Sequence, residues 1–202
     1  MTREPDPFQN DPDPNARGGP AFHHYIAALR RVQTLVASTN PPQEVLVEAT
    51  HQLHAIERLL HDWVVDERDA PAGKRSDLPG RGHSLLLPFV VDEDTATYIR
   101  GRVHFDRFYL GGNGAAHGGT VPLLFDDVLG RWSNSHGRPV ARTAYLHVNY
   151  RHITPIGPEL TIDARLEREE GRKRYITGRL FHGDTLVADA EGLFVTLLPG
   201  QP

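Results

Sequence analysis

Residues 113–130 of this 202-residue chain gather the side chains that could act on a carbonyl group: Asn113, then His117-Gly118-Gly119, then Leu124-Phe125-Asp126-Asp127. The two glycines let the backbone approach a ligand closely, and where they run into a helix its first N–H groups have no internal partners. Such an end favours negative charge. An acyl carbonyl attacked at carbon develops an oxyanion, and free amides aimed at that oxygen are a common way to stabilise it. A carboxylate on the same helix can serve as the nucleophile or as the general base that activates water. The chemistry this pattern suits is acyl transfer.

The helix that follows the glycines has Val121, Phe125, Val128 and Trp132 on one stripe, with Leu124 and Leu129 flanking it. Leu123, Asp126, Asp127 and Gly130 fall on the far side. Helical aspartates are most often simply solvated, and alone these two would be read that way. Beside a leucine and a glycine they also fit a second packed or ligand-facing surface.

Other chemistries are disfavoured by what the chain lacks. With no cysteine there is no disulfide, thiolate nucleophile or cysteine-based metal site, so any nucleophile is oxygen or nitrogen. There is no Gly-x-Ser-x-Gly and no Ser-His-Asp ordering, which disfavours a serine hydrolase. His51, His54 and His61, and the pair His23-His24, have no carboxylate at metal-binding spacing, so no metal is expected. A net charge of −4 supplies no polycation for nucleic acid. No apolar run approaches the roughly 18 residues of a membrane span. Met1-Thr2-Arg3-Glu4-Pro5-Asp6 carries no apolar signal-peptide core, and the expectation is a cytoplasmic protein with neither nucleic-acid nor membrane partner.

The elements that must position these residues follow from periodicity. Residues 1–19, rich in Pro and Asp, cannot repay ordering entropy by burial and read as a flexible tail. Phe22, Ile26, Leu29, Val32 and Val36 recur at helical spacing; Pro41-Pro42 ends that helix and permits another. The second helix, to about Val64, carries the stripe Leu46, Ala49, Leu53, Ile56, Leu60 and Trp63. Residues 20–65 are therefore expected to form a helical hairpin, and 66–83 a linker.

Beyond the linker the period becomes that of strands. Residues 84–91 and 97–105 read as a strand pair across Asp92-Glu93-Asp94, followed by a glycine-rich loop at 111–119 and the central helix, which ends near Ser133. Alternation follows at 143–150 and 160–167, and strands are expected at about 172–181 and 185–197, with turns at Glu170-Gly171 and at His182-Gly183-Asp184. In the first segment Ala144, Leu146, Val148 and Tyr150 share one face. Thr143, Tyr145, His147 and Asn149 take the other, so simple parity points Thr143 away from the central helix. One helix against a curved antiparallel sheet buries both apolar faces, giving an α+β class.

His-Gly-Gly followed by an acid nine residues after the His resembles the hot-dog-fold acyl-CoA thioesterase superfamily, in particular its phenylacetate-degradation (PaaI) type. The likeness continues through Arg142-Thr143, Val148-Asn149-Tyr150-Arg151, Pro155-Ile156-Gly157, Glu170-Gly171-Arg172-Lys173 and 188–195, and spans about residues 84–198. It implies a hot-dog domain over 84–198, a curved antiparallel sheet wrapped around a central helix, behind an N-terminal helical-hairpin extension. It also implies a homodimer or dimer of dimers with the active site at the subunit interface.

By position the resemblance gives Asp126 the catalytic carboxylate's place and Gly118 and Gly119 the amide place. His117 takes an orienting place, and Thr143 that of a hydroxyl which helps to position water. Asn113 and Asp127 are further candidates for the substrate site. Coenzyme A carries phosphates, so Arg151, Arg172 and Lys173 are candidates to meet them, with His152 and Arg174 beside them. No cofactor is implied, since coenzyme A is part of the substrate. The activity implied is hydrolysis of an acyl-CoA thioester. Two alternatives stand beside it: a non-catalytic acyl-CoA-binding hot-dog regulator, and a hot-dog hydratase or dehydratase. Residues 1–80 hold eight Lys and Arg against twelve Asp and Glu, which opposes a DNA-binding role for the N-terminal helices.

Overall fold

A computed structural model describes residues 16–201, so most of the expected N-terminal tail lies outside the described residues. Six strands form one antiparallel sheet in the order β1 (Phe89–Asp94), β2 (Tyr98–His104), β6 (Glu159–Glu170), β7 (Lys173–His182), β8 (Thr185–Thr196) and β5 (Ala141–Tyr150). The sheet wraps the central helix α3 (Thr120–Ser133), the hot-dog arrangement. The expected stripe Val121, Phe125, Val128 and Trp132, with its flanks Leu124 and Leu129, is buried against Ile162, Ile176, Leu180 and Phe194. Burial of this one stripe fixes which face of α3 is left to the outside.

Two glycines make room for the side chains packed between helix and sheet. An alanine Cβ at Gly178 of β7 would come within 2.9 Å of Leu129 and 3.0 Å of Phe125, and one at Gly192 of β8 within 2.8 Å of Phe194. The sheet is therefore thinned beneath α3, and the aromatic ring of Phe125 occupies the space of a missing side chain.

Several local expectations are corrected. The first hairpin turns at 95–97, where Thr95 Oγ1 accepts from the Tyr98 N–H, and Asp92-Glu93-Asp94 lies inside β1 with a register shift between Val91 and Glu93. The carboxylates stay exposed there because β1 is an edge strand. The glycine-rich loop contains a miniature hairpin, β3 (Leu110–Gly112) and β4 (Ala115–Ala116), turned by Asn113 and Gly114 at φ of 51° and 75°. Consecutive left-handed residues of the type Asn-Gly are the signature of a tight two-residue hairpin turn.

The N-terminal region also departs from expectation. Helices α1 (Ala21–Val36) and α2 (Gln43–His61) form, but α1 packs on the hot-dog domain at Arg107–Tyr109 and Pro79–Gly82 rather than on α2. Every residue of α2 is exposed. The pair is two separate helices and not a hairpin packed face to face, because the apolar side of α1 has a larger partner in the domain.

Nor is 66–83 an open linker. Arg75 is buried, ion-paired to Asp77 and donating to the carbonyls of Arg17 and Gly19, and Leu78, Gly80 and Gly82 are buried with it. The segment is a strap that fastens α1 to the sheet domain. Arg30 of α1 adds hydrogen bonds to the carbonyls of His83 and Leu86.

Candidate active site

Asp126 stands on the outward face of α3, one residue past Phe125 in the core, and its side chain is exposed. Thr143 Oγ1 donates a 2.9 Å hydrogen bond to Asp126 Oδ1 within the same chain. Parity placed Thr143 on the other face, and the structure overturns that. The register of β5 against β8 shifts between Thr143 and Tyr145, leaving Ala144 as an extra residue. A β-bulge reverses the alternation across it, so Thr143 joins the helix-facing side with Ala141. The hydroxyl then holds the carboxylate in one orientation by a charge-assisted bond, and among the described residues Oδ2 accepts no hydrogen bond.

The glycine end of α3 is assembled separately. His117 is fixed through its N–H to the Tyr109 carbonyl at 2.7 Å, while its own carbonyl accepts from the Thr120 N–H and hydroxyl. Gly119 is the helix N-cap residue, and its N–H donates to His117 Nδ1 at 3.1 Å. One of the two amides expected to be free is therefore engaged by the neighbouring imidazole. Among the described residues the Gly118 N–H donates to no protein acceptor. The Gly118 carbonyl accepts a 2.6 Å hydrogen bond from the Tyr150 hydroxyl of β5, which turns the peptide plane and ties the loop to the sheet.

These two constellations occupy different ends of one chain. Seven residues at about 1.5 Å rise set Asp126 roughly 10 Å along the helix axis from Gly119. On β5 the anchoring residues Thr143 and Tyr150 are likewise about 20 Å apart at the usual strand rise. A single carbonyl group does not span such a gap.

Asp126 and Thr143 line an open cleft of about 320 Å³ whose other walls include Arg81, Asp127, Arg131 and Arg142. Asp127 is not a solvated acid. Its side chain is 8% exposed, and Arg81 Nη2 approaches Oδ1 to 2.5 Å. Burial pushes the Asp127 carboxyl above the ordinary carboxylate range, opposed by the charges of Arg81 and Arg131. Asp127 thus joins α3 to the strap. Its carboxylate is spent on Arg81 while that of Asp126 faces the cleft.

The remaining candidates scatter. Asn113 sits exposed at the tip of the β3–β4 turn, and its conformation there accounts for the residue type. Arg151 follows Tyr150 at the glycine end and pairs with Asp189 at 2.5 Å, which holds the Asp189 carboxyl below its usual range. Arg172 and Lys173 lie at the Asp126 end: Arg172 donates to the Thr196 carbonyl at 3.0 Å, and Lys173 and Arg142 flank Val195 in one cross-strand row. His152 Nδ1 lies 2.8 Å from the Leu186 carbonyl. Arg174 is buried, bonded to Glu169 and to the Ser133 and Pro139 carbonyls, and stabilises the end of α3.

Arg81, Arg131, Arg142 and Tyr150 belong to the site's surroundings without having been singled out as candidates. Arg81 was hidden in a segment read as linker. Its neighbours Gly80 and Gly82 were the available signal, since all three adopt left-handed φ values of 54° to 68° and form a tight backbone coil against the domain.

Known proteins bear on this arrangement as follows. Residues 113–188 match the family described as the Thioesterase superfamily. Mouse acyl-coenzyme A thioesterase THEM4 is 30% identical over 114 residues, which are 55% of this chain and 47% of that protein; its bovine counterpart is 32% identical over 43% of this chain and 35% of its own length. The chain thus spans about half or less of these relatives. A crystal structure of a thioesterase superfamily protein superposes with a TM-score of 0.74 at 27% identity, covering 90% of this chain and 97% of that one. The acetyl-CoA-bound structure of smu.793 from Streptococcus mutans shares the fold, with a TM-score of 0.51 at 23% identity over 54% of this chain and 88% of its own.

Proposed function

Because a thioesterase-superfamily match lies at the heart of this hot-dog chain, we propose that the protein hydrolyses acyl-CoA thioesters to the free acid and coenzyme A. The observation that carries the reading is the Asp126–Thr143 pair, an oriented carboxylate facing an open cleft on the outer side of the central helix. Asp126 supplies the electron pair, either to the thioester carbon or to a proton of the attacking water. The Thr143 hydroxyl holds the carboxylate, and water where water is the nucleophile, in line with the acyl carbon. As the tetrahedral centre forms, negative charge collects on the former carbonyl oxygen, and the Gly118 N–H at the start of α3 is the donor suited to it. Collapse expels the thiolate of coenzyme A. On the general-base route the thiolate takes up the proton that Asp126 removed from water; on the nucleophilic route water then cleaves the Asp126–acyl anhydride, releasing the free acid, regenerating the carboxylate and supplying that proton.

The roughly 10 Å axial separation of Asp126 from Gly119 supports a site completed between two copies, one giving the carboxylate and the other the glycine loop. In such a pairing Arg142, Arg172 and Lys173 beside one half and Arg151 beside the other offer positive charge to the phosphates of coenzyme A. The named activity of the mouse relative and the acetyl-CoA in the Streptococcus structure agree with this substrate class.

The test is hydrolysis of a panel of acyl-CoA esters, with free thiol detected. Release of coenzyme A by the purified chain and its loss in Asp126→Asn supports the reading; undiminished release by Asp126→Asn overturns the role of Asp126. Absence of release from every ester overturns the activity.

A further inference from the structure

Among the described residues, helix α2 and the turn after it expose a run of large apolar side chains. Leu46, Ala49, Leu53, Ile56, Leu60 and, in the turn after the helix, Trp63 repeat at alternating spacings of three and four residues. That is the 3.5-residue period of a two-helix seam, and not the wider stripe with which a helix packs on a sheet. Leu53 is 50% exposed and Trp63 78% exposed, and no other described element packs on them.

We propose that this seam is an interface with α2 of a second copy of the same chain, the two helices running antiparallel. Side-chain size selects the direction. An antiparallel pair in full overlap sets Leu46 against Trp63, Ala49 against Leu60 and Leu53 against Ile56, so each layer combines a larger with a smaller or similar side chain. A parallel pair stacks Ala49 on Ala49 and Trp63 on Trp63, leaving a void in one layer and a clash in another. A twofold contact of this kind is self-complementary and closes on itself. With Val45 and Leu59 flanking the seam, it buries on the order of 1,000 Å² in all, the lower bound for a specific contact. This contact is built by α2 and uses none of the residues assigned to the thioester site.

Because the chain has no cysteine, introduced thiols report the pairing directly. The full chain carrying Ala49→Cys and Leu60→Cys, treated with a short bis-maleimide, is expected to give a covalent dimer, while Ala49→Cys alone stays uncrosslinked. Crosslinking of Ala49→Cys alone overturns the antiparallel arrangement, and no covalent dimer from the double variant overturns the contact. Leu53→Glu with Ile56→Glu, both on an exposed helix and therefore compatible with folding, is expected to abolish that crosslink when added to the double-cysteine chain. An undiminished crosslink there overturns the proposal. Circular dichroism and acyl-CoA hydrolysis per chain are recorded alongside, so that loss of assembly is separated from loss of fold.

Discussion

Thr143 Oγ1 and Asp126 Oδ1, seventeen residues apart in sequence and 2.9 Å apart in space, join the bulged end of β5 to the outward face of α3. The contact assigns each group a task that follows from its chemistry. The carboxylate accepts and the hydroxyl donates, so the hydroxyl's own lone pairs stay turned toward the cleft.

Replacing Asp126 by Asn keeps shape and removes the basic oxygen. Turnover is expected to fall by about 10²–10⁴-fold, the span usual for loss of a general acid or base. Because Asp126 is exposed, the thermal midpoint should move little. A steady-state assay beside a melting curve checks both.

Thr143→Val preserves the branched shape but removes the donor to a charged acceptor, a bond of about 1.5–3 kcal/mol. The expected result is a kcat some tenfold or more lower with KM nearly unchanged, and recovery in Thr143→Ser. Equal losses in the Val and Ser variants would show that packing, and not the hydroxyl, matters there.

Tyr150→Phe removes the 2.6 Å bond to the Gly118 carbonyl and loosens the residue whose N–H is the proposed oxyanion donor. A several-fold fall in kcat/KM is expected, about 1 kcal/mol for one hydrogen bond. Hydrogen exchange at residues 117–120 should rise in parallel.

The Arg81–Asp127 pair makes a prediction with a sign in pH. The Asp127 carboxyl is raised in the folded state, so between the ordinary carboxylate range and its raised value the folded chain binds more proton than the unfolded one. Stability contributed by this group therefore falls as pH rises through that window. Arg81→Met takes away an opposing charge, raises the carboxyl further and steepens the fall; a cost of about 1–3 kcal/mol at neutral pH is usual for leaving a buried polar group without its partner, Arg81 itself being partly exposed. Adding Asp127→Asn to Arg81→Met should recover much of the loss and flatten the pH dependence. Denaturant midpoints from pH 4 to pH 8 check the slope and the rescue.

Gly178→Val places side-chain atoms where Leu129 and Phe125 already stand, so it is expected to destabilise the fold by about 1–3 kcal/mol or more. It should also shift α3, so activity should fall in the surviving folded protein. Chemical denaturation with a kinetic assay measures both.

Local pattern by itself determined a good deal of this protein. The 3.6-residue stripe from Val121 to Trp132 fixed α3 and therefore which way Asp126 points, because burying one face of a helix exposes the other. Alternation and turn residues located most strands for the same reason: a strand or a helix repeats within a few residues. The His-Gly-Gly series and its downstream companions carried the resemblance, and the observed hot-dog sheet agrees with it.

What the tertiary structure alone decided lies between elements. Parity failed at Thr143 because one extra residue at Ala144 reverses the alternation, and a bulge is visible only once β5 is laid against β8. The engagement of Gly119 by His117, the Tyr150 anchor and the role of Arg81 depend on side chains meeting across space, which composition and period do not encode. The two N-terminal helices were legible as helices, but their partners were not. An amphipathic stripe states that a surface must be covered and leaves open by what: for α1 it is the domain, while the described residues leave the stripe of α2 bare.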